Sequence, residues 1–219
     1  MKIVFSDQSG IHRLSLYRLL FRALRGGYIP VVISGDRGFD LYHFLRERKL
    51  FRVSYDLISK IQFANPVNGH HLKTLIRRME EMDPNLYFAI FIDFTSHYLD
   101  DTVPEDIRTF MFRRDLQSTS LLESSFRPVF FFETGRCHRD TGQAGYREFL
   151  THHSHLHLLE DKGKFRLGHM RIRPEEKEEF FHGSHSSGLF YLCRKIAGRL
   201  QHLSEVTSQR RSALFRQAV

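Results

Sequence analysis

Cysteine is nearly missing from this 219-residue chain, which holds two, Cys137 and Cys193. Their wide separation supplies neither the close spacing of a zinc or redox site nor the framework of a disulfide scaffold, so both read as free thiols. Long apolar runs are missing as well. No stretch reaches the roughly 18 uninterrupted apolar residues of a membrane span, which excludes a membrane-spanning helix. The opening residues Met1-Lys2-Ile3-Val4-Phe5 pass straight into polar ones, without the apolar core of a signal peptide. The expectation is a soluble protein, cytoplasmic or nucleoid-associated, with no membrane partner. Internal repeats and low-complexity linkers are absent too, and tryptophan is missing altogether. One principal domain over residues 1–183, followed by a basic helical extension over 184–219, is the economical division.

What is present is basic charge and phenylalanine. The net charge of +8 and a pI near 9.7 point to polyanionic partners, nucleic acid before a membrane surface. With 41% hydrophobic and 26% charged residues the chain is globular rather than disordered.

The pattern alternates strand and helix. Lys2 to Phe5 is an apolar strand, and Leu14, Tyr17, Leu20, Phe21 and Leu24 recur at helical spacing until Gly26-Gly27. Tyr28 to Ile33 is a buried strand and Phe39 to Arg48 a helix. Ile61 to Phe63 is a short strand, and His70 to Met82 an amphipathic helix stopped by Asp83-Pro84. The apolar run Leu86 to Phe94 is the strand around which the rest is organised. It reads as buried on both faces and delivers Asp93 at its C-terminal end, where open α/β sheets place ligand chemistry. The plainer alternative is an aspartate that caps the next turn. A helix starts at Thr102-Val103-Pro104-Glu105-Asp106 and runs to about Ser124, and Pro128 to Phe132 is another buried strand, ending on Glu133-Thr134. Cys137 to Gly145 reads as a mobile loop. Leu156–Leu159 and Phe165–Ile172 read as an antiparallel hairpin around 160–164, and Leu189 to about Ser204 as a helix. The fold class is therefore α/β, a mostly parallel sheet between helical layers that closes with an antiparallel hairpin.

This order of pieces resembles the RecA/RadA/KaiC-type recombinase core of the P-loop ATPase superfamily, over roughly Lys2 to Phe181. Ser6 to Arg13 stands at the phosphate loop (Walker A) and Gly35-Asp36-Arg37-Gly38-Phe39 at the acidic-glycine segment. Asp93 stands at the magnesium position, Glu133-Thr134 at the polar sensor, and Cys137 to Gly145 at the DNA-facing loop. The resemblance implies a three-layer RecA-like fold. It departs at the phosphate loop, where G-x-x-x-x-G-K-[ST] is replaced by Ser6-Asp7-Gln8-Ser9-Gly10-Ile11-His12-Arg13. The two glycines become Ser6 and Ile11, the lysine His12 and the hydroxyl residue Arg13. A β-branched residue closes the space a phosphate-wrapping backbone needs, and neutral histidine does not replace lysine's charge.

The resemblance with a degenerate loop of Ser6, Gly10, His12 and Arg13 implies a paralogue that does not hydrolyse ATP, with Asp36, Asp93 and Glu133 as vestiges of the catalytic set. It implies no cofactor, and a DNA-repair or recombination accessory that works by binding. Arg136, His138, Arg139 and Arg147 would track the phosphates of single-stranded DNA, and a recombinase-like protein or a second copy of the chain would be the protein partner. Two alternatives stay open: an active ATPase of KaiC or RadB type using ATP and magnesium, and a regulatory interaction protein on the same fold. The histidines His152, His153, His155 and His157, with His169 opposite, raise a metal site, but zinc needs three or four convergent ligands. The expectation is no metal.

Overall fold

The computed structural model describes residues 2–7, 13–35, 39–83, 85–122, 129–134, 141–161 and 164–170. Within them each apolar run becomes a strand: β1 (Lys2–Asp7), β2 (Ile29–Ser34), β3 (Gln62–Ala64), β4 (Tyr87–Ile92), β5 (Val129–Thr134) and β6 (Leu156–Asp161). These six are parallel, and β7 (Lys164–Met170) lies antiparallel to β6 at the edge. The order across the sheet is β3-β2-β4-β5-β1-β6-β7. Positions 162–163, where a hairpin turn would fall, lie outside the described residues.

The helices are α1 (Arg13–Arg25), α2 (Leu41–Phe51), α3 (Tyr55–Ile58), α4 (Gly69–Glu80), α5 (Glu105–Ser118) and α6 (Thr141–His152). Alternation along the central strands sends their side chains to two separate cores. Phe5, Ile90, Ile92, Phe130 and Phe132 pack with Tyr17, Phe21, Phe44 and Ile58 from α1, α2 and α3. Val4, Phe91, Val129 and Phe131 pack with Leu72, Ile76, Phe112, Leu116, Tyr146 and Leu150 from α4, α5 and α6. The molecule is thus an α/β fold with helices on both faces of a parallel sheet. Phenylalanine fills both layers by stacking: Phe5 on Phe132 at 4.6 Å between ring centroids, and Phe91 on Phe131 at 5.2 Å. Offset aromatic pairs add to the burial of their area.

Several expectations are corrected. Residues 141–145, read as the end of a loop, form the first turns of α6; their glycines lower helix propensity, but Tyr146 and Leu150 anchor the helix in the core. Arg147 is therefore a helix residue and not a loop residue. The helix expected to reach Ser124 ends at Ser118 and tightens into a 3-10 turn, Thr119–Leu122. The one-turn helix α3 has no counterpart in the sequence reading. The helix expected from Leu189 to Ser204 and the boundary at 183/184 lie outside the described residues. Among the described residues no helix is long and apolar enough to cross a membrane.

Candidate functional site

Parallel pairing brings the C-terminal ends of β2, β4, β5, β1 and β6 to one edge of the sheet. Strand β1 leads into α1, which packs in one layer, while its neighbour β5 is followed by α6 in the other. Adjacent strands that feed opposite layers open a crevice at their C-terminal ends, the usual ligand position in α/β sheets. The polar residues sit there. Register places Ser6 of β1 beside Glu133 of β5, and Ile92 of β4 beside Phe132.

Asp93 follows directly. Its N–H continues the ladder to the Phe132 carbonyl at 2.8 Å, and then the backbone swings to φ 50, ψ 50. Aspartate tolerates this left-handed conformation better than most residues. The swing starts a 3-10 helix, Phe94–Tyr98. Asp93 makes no side-chain capping bond to that helix; its backbone carbonyl holds the turn instead, accepting from Ser96 N–H at 3.0 Å and Ser96 Oγ–H at 2.7 Å. The plain capping role considered from sequence is therefore taken by the main chain.

The turn aims Thr95 at Glu133. Thr95 Oγ1–H donates to Glu133 Oε2 at 2.6 Å, and Thr95 N–H to Oε1 at 3.3 Å. Arg147 of α6 approaches the same carboxylate, with Nε 3.6 Å from Oε2. Asp93 and Glu133 are 3% and 2% exposed. Burial, followed by the Asp93 charge, pushes the Glu133 carboxyl up to about 7, against the opposing pull of Thr95 and Arg147. The protonated form of this carboxyl is thus favoured well above the ordinary carboxylate range, next to a second acid.

Gly35, just past β2, sits where only glycine fits. Its N–H donates to the Ile92 carbonyl at 2.8 Å, and a Cβ there would lie 2.8 Å from the Asp93 carbonyl oxygen and strike Ser96 Oγ. Gly35→Ala is expected to cost about 1–3 kcal/mol by overpacking. Urea denaturation at fixed pH checks this, with Gly27→Ala as the contrast. Gly27 has open space around it but a φ of 82, so its cost would come from the backbone alone.

A second polar network supports the turn. Tyr98, its last residue, donates its hydroxyl to Asp115 Oδ2 at 3.0 Å, and Arg114 holds Oδ1 from Nε and from Nη2, each at 2.7 Å. Asp115 is fully buried. Burial raises its carboxyl above the ordinary range, with Arg114 and Tyr98 pulling the other way.

The remaining expected residues are placed unevenly. Ser6 Oγ pairs with His157 Nε2 at 2.9 Å. Arg13 opens α1, whereas Gly10, His12, Asp36, Arg136, His138 and Arg139 lie outside the described residues. His169 pairs with His157 across the β6–β7 ladder, and its side chain lies outside the described residues; the described histidines meet separate partners. His153 stacks on Phe149 at 3.9 Å between ring centroids, His155 Nδ1 accepts from the Lys2 N–H at 3.0 Å, and His157 faces Ser6. His155 precedes β6 and so does not share a strand face with His157. Among the described residues no group of three or more metal-ligating side chains comes together.

Magnesium, which the ATPase alternative would place at Asp93, is a poor fit to this cluster. The ion takes one or two accessible carboxylates plus phosphates and waters. Here Thr95 engages both Glu133 oxygens, Arg147 already supplies positive charge, and Asp93 is closed in. Sequence reasoning missed Thr95 and the inward role of Arg147. Thr95 is 38 residues from Glu133 in the chain, so no local pattern marks the contact.

Fold and site together define a doubly covered, parallel α/β domain with a buried acid pair at the ligand edge of its sheet. No protein-family model matches the chain, and no curated protein matches its sequence.

Proposed function

We propose that this chain is a non-hydrolysing relative of the RecA/RadA recombinases. It would act in the cytoplasm or on the nucleoid as a DNA-binding accessory in repair or recombination. The observation that carries the reading is the internal neutralisation of Glu133. At the sensor position of an acting ATPase a polar group serves the nucleotide, whereas this one is engaged by Thr95 and Arg147. The three strands singled out by the resemblance, β1, β5 and β4, also lie side by side. The +8 charge supplies the general attraction to a polyanion. Arg136, His138 and Arg139 keep the expected phosphate-tracking role, while Arg147 serves Glu133. A recombinase-like protein or a second copy remains the proposed protein partner.

Two measurements test the reading. Fluorescence anisotropy with a labelled single-stranded oligonucleotide should give an affinity that falls linearly with log salt, by about 0.7 per phosphate neutralised. Thermal unfolding with millimolar ATP and magnesium should show no stabilisation. Saturable nucleotide stabilisation abolished by Asp93→Ala would instead establish the ATPase alternative. Absence of DNA binding at low salt would leave a regulatory interaction protein.

A further inference from the structure

On α2 and α3, exposed tyrosines and cations are close in sequence. Tyr42 on α2 is 85% exposed, and Tyr55 at the start of α3 is 59% exposed. The core beneath is closed by Phe44 and Ile58, so neither tyrosine ring is needed to fill it. The Arg48 guanidinium carbon lies 3.5 Å from the Tyr55 ring centroid, a ready cation–π stack. Arg46, one helical turn from Tyr42, is exposed, as are Arg52 and Lys60. Over residues 41–63 the cations outnumber the acids by three. One of the acids, Glu47, lies 4.0 Å from His43.

Large rings left in water beside arginines suit a partner that presents flat π-faces and negative charge at short, regular intervals. Unpaired bases on a phosphate backbone do this, and stacking on an aromatic ring tolerates any base. A partner helix would want a contiguous, fully exposed apolar strip, whereas the other exposed apolar residues here, Leu41 and Phe63, are each less than half exposed, and Arg46 stands one turn from Tyr42. An acidic peptide would use the cations and leave the Tyr42 ring idle.

We infer that the α2–α3 face binds single-stranded nucleic acid, with bases stacking on Tyr42 and Tyr55 while Arg46 and Lys60 follow the phosphates. This rests on the nucleic-acid reading above and adds binding residues other than Arg136, His138 and Arg139. Each base stacked on a ring adds affinity without sequence readout, so the site should accept any unstructured strand and reject duplex, whose bases are already stacked.

The test is anisotropy of the full-length chain with a labelled oligo-thymidine, titrated with salt. Tyr42→Ala and Tyr55→Ala should each weaken binding about tenfold, while Tyr42→Phe, which keeps the ring, should bind as the parent does. Arg46→Glu with Lys60→Glu should make the log–log salt slope shallower by about 0.7 for each phosphate no longer neutralised. Circular dichroism checks that each variant folds. If the parent chain binds no oligo-thymidine, both the nucleic-acid reading and this surface fall. If it binds and the tyrosine variants match it, while Arg136→Glu with Arg139→Glu abolishes binding, the surface falls and the broader reading stands. Tighter binding of poly-glutamate than of oligo-thymidine, abolished in the same tyrosine variants, would overturn the nucleic-acid assignment in favour of an acidic peptide.

Discussion

Glu133→Gln should remove a pH dependence of stability that the parent protein shows between about pH 4.5 and 7. In the unfolded chain the carboxyl titrates at its ordinary value of 4.5, and in the folded protein at about 7. The folded state therefore binds more protons across that window, and stability falls as pH rises through it. Below 4.5 both states are protonated and the contribution is fully present; above about 7 it is gone. The displacement corresponds to about 3 kcal/mol at 1.36 kcal/mol per pH unit. Urea denaturation of parent and variant from pH 4.5 to 8 measures the effect as a difference, which cancels titrations common to both. The parent should lose stability relative to Glu133→Gln as pH rises. Parallel curves would show that Thr95 and Arg147 hold the carboxyl at its ordinary value.

Asp115→Ala should destabilise the protein more than Tyr98→Phe. It leaves the Tyr98 hydroxyl and the Arg114 guanidinium without the carboxylate that both address. Arg114 is 28% exposed and can turn to water, so the cost is chiefly that of the stranded Tyr98 hydroxyl, about 1–3 kcal/mol, equivalent to roughly 2–12 °C in Tm for a chain of this size. Tyr98→Phe removes one neutral donor and keeps the Arg114 pair, so its cost should be about 1 kcal/mol. Thermal and chemical unfolding of the two variants give the ratio directly. Because Tyr98 closes the turn that carries Thr95, Asp115→Ala and Glu133→Gln should also be non-additive in a double-mutant cycle. Strict additivity would mean that the turn keeps its shape without its anchor.

How far the sequence carried this picture depended on whether the information was local. The strands β4 and β5 are legible within Leu86 to Phe94 and Pro128 to Phe132 because both faces are buried and apolarity is continuous, although β4 ends at Ile92 and Phe94 opens the 3-10 turn. The position of Asp93 at a strand end was legible for the same reason. α3 has four residues and no period to detect, so it left no signal. The start of α6 was hidden by Gly142 and Gly145, and only packing of Tyr146 and Leu150 beneath α5 explains why it is helical. The role of Arg147 followed that error: a cation assigned to a loop turned out to face a buried acid. The Thr95–Glu133 bond joins segments that only the β4–β5 pairing brings together, and pairing partners are not written in either segment.

The division of β5 between two cores has a consequence for how this protein can change. Phe130 and Phe132 answer to one helical layer, Phe131 and Val129 to the other, and Glu133 continues the second series. Swapping one phenylalanine for another apolar residue alters volume and, at Phe131 or Phe132, a ring stack, but not which layer the side chain faces. Inserting or deleting a single residue between Val129 and Phe132 would exchange the two series and turn Glu133 away from Thr95 and Arg147. Lineages of this chain should therefore drift freely in the apolar identity of that strand while holding its length fixed.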